Sequence, residues 1–231
     1  MRLVSLRHAR FPKLAAIIFV IATAVAAGLA SHAGASPISR ITVIGDSYTA
    51  GSGEGGNGPR SWPELATVLL ARDGVEIDAD IAAEGGAGYG QRGSRGNVFQ
   101  DLTAQAVTHN DDLVIFFGSR NDQPVDPKQF PALAAGTFQL VRFAAPAAKV
   151  LVIGPPWLTA NPPPAVLKIR DSLREQAVAI GALFVDPIAE GWFVGRGDLI
   201  GQDGVHPTDA GHVYMADKIA PLIYDQLTIR V

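Results

Sequence analysis

Four side chains in this sequence have the types and the order needed to attack a carbonyl: Ser47, Asn121, Asp203 and His206. A serine hydroxyl is a weak nucleophile at neutral pH. It needs a base to take its proton and a third group to orient that base. Asp203 and His206 stand three apart in "DGVHP". That spacing lets a carboxylate reach the Nδ1–H of the histidine in its own loop, leaving Nε2 for the serine. The attacked carbonyl becomes an oxyanion, which needs donors already in place. The glycine-rich loop that begins at Glu84 exposes backbone N–H groups, and Asn121 offers a side-chain amide. Each residue alone has a plainer role: Ser47 as a cap or turn, Asp203 as a turn former, His206 as a loop histidine beside Pro207. Their joint occurrence outweighs those separate roles.

The elements that must position them alternate along the chain. "ITVIG" reads as a short buried strand ending in glycine, with Asp46 and Ser47 immediately after it. "SWPELATVLLARDG" reads as a helix with Ser61 as N-cap, Pro63 in the first turn and Gly74 as its stop. The strand "VEIDADIAA", the loop 84–97 and the helix "VFQDLTAQAVTHN" follow. "DLVIFFG" is an almost continuous apolar run, as expected for a strand covered on both faces. "FPALAAGTFQLVRFAAP" reads as a helix, "KVLVIGPP" as a strand, "AVLKIRDSLREQAVAIG" as a helix, "ALFVDP" as a fifth strand and "TDAGHVYMADKIAPLIYDQL" as a last helix. Such alternation argues for an α/β sandwich around a parallel sheet. Ligands of open parallel sheets sit at the carboxyl ends of the strands, where all four candidates fall.

In this order, "GDSYTAG", "GGAG", "RND" and "DGVHP" resemble the SGNH (GDSL-type) hydrolases, and the matching segments run from Gly45 to His206. The resemblance implies a flavodoxin-like three-layer α/β/α sandwich with a five-stranded parallel sheet in the order 2-1-3-4-5. It implies ester hydrolysis through an acyl-enzyme with no cofactor. Carried over residue by residue, it makes Ser47 the nucleophile, His206 the base and Asp203 its partner. The oxyanion hole would use the Ser47 N–H, a glycine N–H at Gly86, and Asn121; Gly85 competes with Gly86. Two positions depart from the family pattern. Its Gly-x-Asn-Asp motif reads Ser119-Arg120-Asn121-Asp122 here, with Gly118 one place early, so Ser119 is expected to narrow the space beside Asn121. The asparagine that precedes the family's second-motif glycine is Ile81. Tyr48, where leucine is common, is given little weight, and Asp122 no role beyond capping. An acyltransferase using the same acyl-enzyme and a non-catalytic carbohydrate- or envelope-binding protein on the same scaffold are the competing readings.

Composition narrows the rest. With 231 residues, 48% hydrophobic, the chain suits one domain with a sizeable core. The absence of cysteine excludes disulfides, thiolate metal sites and a cysteine nucleophile. Residues 1–35 carry four basic residues, then the apolar run Leu14–Ala30, then Ala33-Gly34-Ala35. This is the order of a cleavable signal peptide, with an uncleaved anchor helix as the alternative. Residues 36–231 form the expected hydrolase domain, secreted or held in the cell envelope, touching membrane only through that leader. The net charge of −3 hides about −7 on that domain, which excludes a nucleic-acid footprint. "GYGQRG" at 88–93 matches a dinucleotide fingerprint but follows the second strand, with the helix delayed, and "GSGEGGNG" lacks the ending of a phosphate loop. The latter is expected to form a mobile lip. His109 reads as the end of a helix and His212 as structural; no catalytic metal is expected. Trp157, after the fourth strand, either lines an acyl or sugar pocket or covers the sheet edge. Oligomeric state is open. Lacking a large apolar lid, the chain favours short- to medium-chain esters.

Overall fold

The fold is known from a computed structural model, which describes residues 38–228. The expected signal segment, 1–35, lies outside the described residues. Five parallel strands form one sheet in the order β2-β1-β3-β4-β5. They are β1 (Ser39–Gly45), β2 (Ile77–Ala83), β3 (Leu113–Phe117), β4 (Lys149–Ile153) and β5 (Leu183–Val185). The helices are α1 (Ser47–Ala50), α2 (Trp62–Arg72), α3 (Phe99–Ala106), α4 (Phe130–Ala144), α5 (Pro164–Ala179) and α6 (Asp209–Thr228). The expected fold class and strand order are both borne out.

Alternation along the strands builds two cores. Ile41, Val43, Ile115, Phe117, Leu151 and Ile153 face one side and pack with Trp62 and Leu70 of α2 and Ile219 and Ile223 of α6. Ile44, Val114, Phe116, Val150 and Val152 face the other and pack with Phe99 of α3, Phe138 of α4 and Leu173 of α5. Every residue of β3 is buried, because helices cover both faces of the central strand. Each such large side chain contributes on the order of 1.5–3 kcal/mol by leaving water. This double core sets the height at which each strand ends, and so the geometry of the loops above it.

Helix α3 is shorter than the sequence suggests. Val107 leaves the helix with extended backbone, and Asp111 accepts the Thr108 N–H, turning the chain into β3. His109 therefore lies exposed in a turn beyond the helix, not on its last turn. Among the described residues no helix is long and apolar enough to cross a membrane.

Candidate active site

A strand ends in Gly-Asp-Ser here for steric and polar reasons. A Cβ on Gly45 would lie 2.2 Å from Thr49 Oγ1, so only glycine lets α1 turn back this tightly over β1. Asp46 keeps extended backbone and accepts the Tyr48 N–H at 2.9 Å, capping the helix. Ser47, the first residue of α1, is thereby held above the end of β1.

The second half of the constellation comes from the loop before α6. Ile200 pairs with Pro207, Gly201 N–H donates to the His206 carbonyl at 2.8 Å, and Thr208 N–H donates to Leu199 at 2.9 Å. Within this closed loop Asp203 Oδ1 accepts the N–H groups of Val205 (2.8 Å) and His206 (2.9 Å). Asp203 Oδ2 lies 2.5 Å from His206 Nδ1, and His206 Nε2 lies 3.0 Å from Ser47 Oγ. With its proton on Nδ1, His206 donates to Asp203 and accepts from Ser47. The His206 ring, then the two backbone N–H groups, hold the Asp203 carboxyl down at about 2. It is therefore anionic at every working pH. Both side chains keep roughly a third of their surface, so the pair is reached by solvent.

Tyr48 ties the two halves together. Its ring is buried against Phe117 and Phe193, and its hydroxyl donates to the Val205 carbonyl at 2.6 Å. One residue after Ser47 thus anchors the loop that carries His206. Burial pushes this phenol up to about 12, so it remains a donor. The sequence marks this residue only as a tyrosine where the family commonly has leucine; its role follows from the need of a buried tyrosine for a hydroxyl partner.

Asn121 sits in the turn Arg120–Asp122 after β3. Ser119 is buried, accepts the Asn121 N–H at 2.9 Å and donates to the Ala87 carbonyl at 3.2 Å. It braces Asn121. The Asn121 amide Nδ2 donates to Ala87 O at 2.9 Å and to Asp46 Oδ2 at 3.2 Å. Both of its hydrogens are engaged inside the protein. Burial raises the Asp46 carboxyl to about 7, against the lowering effect of the Tyr48 N–H.

Gly85 and Gly86 are the central residues of a turn closed by Ala87 N–H to the Glu84 carbonyl at 3.0 Å. Gly86 has φ +80°, which this turn position demands of glycine. The N–H groups of Ser47, Gly85 and Gly86 donate to no acceptor among the described residues. Gly86 is exposed, and Ser47 and Gly85 are half-buried.

Two buried acids hold the glycine loop. Asp122 Oδ1 accepts Gly90 N–H (2.8 Å) and Gln91 N–H (2.9 Å), and its Oδ2 accepts Tyr89 N–H at 2.9 Å. "GYGQRG" therefore turns its amides inward on to a carboxylate of the protein itself, where a nucleotide site would turn them toward phosphate. Glu84 accepts the Arg95 N–H and, at 2.7 Å, the Asn97 amide. Capping alone does not describe Asp122, whose role the sequence conceals because its partners are backbone groups more than thirty residues away.

The segment 51–58 is pinned. Glu54 accepts Gln202 N–H at 3.0 Å, Asp209 accepts Gly56 N–H at 2.8 Å, and Gly56 abuts the His212 ring so closely that a Cβ there would overlap it. These contacts tie down the segment expected as a mobile lip, and its Gly51, Gly55 and Gly56 serve close packing. His212 is structural, as expected; its Nδ1 accepts Trp62 N–H at 3.2 Å, and burial lowers it to about 4. Trp157 lies half-buried with the Arg120 guanidinium 4.4 Å above its ring. Among the described residues no cluster of three or more His, Cys, Asp or Glu is arranged to hold a metal ion.

Comparison with known proteins places the sequence and the fold. The family model of the GDSL-like lipases/acylhydrolases matches residues 43–214. A GDSL lipase of Mycobacterium tuberculosis is 60% identical over 190 residues, covering 81% of this chain and 82% of that protein. Among solved structures, a lipase/acylhydrolase from Enterococcus faecalis superposes with a TM-score of 0.64 at 18% identity, over 80% of this chain and 97% of that one. A family two carbohydrate esterase from Clostridium thermocellum, in complex with cellohexaose, gives 0.65 at 20% identity, over 83% and 66%.

Proposed function

This chain belongs to the GDSL-like lipase/acylhydrolase family and is an ester-acting hydrolase, and on that footing we propose that it cleaves short- to medium-chain acyl esters outside the cytoplasm through an acyl-enzyme on Ser47. The observation that carries the proposal is the unbroken chain from Asp203 through His206 to Ser47, at 2.5 and 3.0 Å. His206 Nε2 takes the Ser47 proton as Oγ bonds to the carbonyl carbon. The carbonyl oxygen becomes an oxyanion beside the N–H groups of Ser47 and Gly86. Collapse expels the alcohol, which receives the proton from His206. Water then attacks the acyl-enzyme with His206 again as base, releasing the acid and restoring Ser47. Asn121 joins the oxyanion donors by giving up one of its internal bonds, the longer being that to Asp46.

Support for short to medium chains is that, among the described residues, the loops above Ser47 carry no long apolar segment. Support for an extracytoplasmic site is the basic, apolar, small-residue leader at 1–35. Solved structures of this fold include a lipase/acylhydrolase and a carbohydrate esterase, so the fold leaves the alcohol portion open. The test is hydrolysis of p-nitrophenyl esters from acetate to palmitate by residues 36–231. Turnover should peak at short or medium acyl groups and collapse in folded Ser47→Ala and His206→Ala variants. Silence on every ester, or variants that match the wild type, would defeat the proposal.

A further inference from the structure

Arg120 is out of place electrostatically. Among the described residues Arg40, Arg60, Arg92, Arg95, Arg170, Arg174 and Arg196 each lie within ion-pair distance of a carboxylate. Arg142 donates to two backbone carbonyls, and Arg72 is exposed at a helix end. Arg120 is half-buried and pairs with no carboxylate among the described residues, and its Nη1 is buried with no hydrogen-bond partner. A guanidinium held partly out of water without an anion is costly.

Its place makes the cost informative. Arg120 directly precedes Asn121, and its guanidinium lies 4.4 Å from the centre of the Trp157 ring. Stacking on indole fixes the plane of the fork without neutralising its charge. Asp46, whose carboxyl feels the Arg120 charge, is committed to the Tyr48 N–H and the Asn121 amide, and burial holds it only partly ionised near neutrality. The Tyr48 hydroxyl donates to the Val205 carbonyl and offers Arg120 only a neutral oxygen, which does not balance the guanidinium charge. What remains is a planar, preorganised cation beside the site, lacking the acceptor that a carboxylate or phosphate supplies in bidentate fashion.

Resting on the hydrolase reading above, we propose that Arg120, stacked on Trp157, binds an anionic group, carboxylate or phosphate, carried by the ester substrate close to its scissile bond. The preferred substrates are then acidic esters, with Arg120 as the residue that selects them.

Two matched pairs locate the anion. The p-nitrophenyl monoester of adipic acid against p-nitrophenyl hexanoate places a carboxylate on the acyl side. Monobutyryl glycerol phosphate against monobutyryl glycerol places a phosphate on the alcohol side. In the wild type kcat/KM should favour the charged member of at least one pair by about tenfold or more. That ratio should fall toward one in Arg120→Gln and be partly kept in Arg120→Lys, which retains charge but not the fork. A wild-type preference for neither charged ester, or a ratio unchanged in Arg120→Gln, overturns the proposal. Calorimetric binding of the same esters to Ser47→Ala, with and without Arg120→Gln, separates this failure from that of the hydrolase reading. Charged esters that bind Ser47→Ala more tightly than neutral ones, with the difference lost in the double variant, sustain the anion site even if no ester turns over. Equal binding of charged and neutral esters to Ser47→Ala sinks it. If Arg120→Gln does not fold, Arg120→Lys and the Ser47→Ala comparison decide alone.

Discussion

Replacing Asp122 by alanine removes one carboxylate and strands three backbone donors. Tyr89 is buried, so its N–H loses its only acceptor outright, whereas Gly90 and Gln91 are partly exposed and water can replace part of what is lost. A buried unsatisfied donor costs about 1–3 kcal/mol, and hydrogen bonds to a charged group are worth about 1.5–3 kcal/mol. One full loss and two partial ones give about 3–5 kcal/mol. For a domain of this size that lowers the melting temperature by roughly 6–20 °C. Asp122→Asn should cost about half as much, because its oxygen can keep Gly90 and Gln91 while its NH₂ opposes the Tyr89 N–H. Activity should fall as well, since the same loop carries Gly86 and the Ala87 carbonyl that holds Asn121. A Cβ at Gly88 would lie 2.5 Å from Asp122 Oδ2, so Gly88→Ala should be damaging alone but add little to Asp122→Ala. Thermal melts and p-nitrophenyl butyrate kinetics read all four variants. An Asp122→Ala protein that melts with the wild type and keeps its kcat, or strictly additive effects with Gly88→Ala, would refute the pinning argument.

Other outcomes follow from the same geometry. The Asp46 carboxyl is raised by burial from its ordinary 3.8 to about 7, so the folded state holds its proton more tightly. The stability this confers is full below the unfolded value and is lost as pH rises toward about 7. Asp46→Asn should therefore gain about 2–3 kcal/mol relative to wild type between about pH 5 and pH 8, read from urea midpoints at both. The comparison must be variant against wild type, because His212, lowered to about 4, loses stability in the opposite direction as pH falls; a difference flat in pH would contradict it. Tyr48→Phe removes the tether to Val205 and should cost about 1 kcal/mol and lower kcat several-fold; unchanged kcat would show that the loop holds itself. Asp203→Ala should lower kcat ~10²–10³-fold, less than for a deeply buried partner, because water reaches this carboxylate.

Much of this was legible in the sequence for a physical reason. The alternation of apolar runs fixed β1, β3 and β4 because these strands are covered on both faces, and "GDS" and "DGVHP" are local signals whose chemistry lies within a few residues. What escaped notice acts across the chain. Asp122 and Glu84 look like loop acids, and only the fold turns the amides of 89–91 toward the one and those of Arg95 and Asn97 toward the other. Tyr48 looks like a variant of an apolar position until Val205 is placed opposite it. The glycines of 51–58 suggested freedom, yet Gly55 and Gly56 are required because Asp209 and His212 pack against them. Arg120 stands in the sequence only as one letter of the "RND" motif, because a missing counter-ion is visible only in three dimensions.

The central claim is that Ser47 forms the covalent bond. The most direct measurement is intact mass of the protein after exposure to a p-nitrophenyl alkylphosphonate, followed by peptide mapping. The account predicts one adduct per chain, located on Ser47, absent in Ser47→Ala and greatly slowed in His206→Ala. No adduct, or one mapped to a different residue, would contradict it.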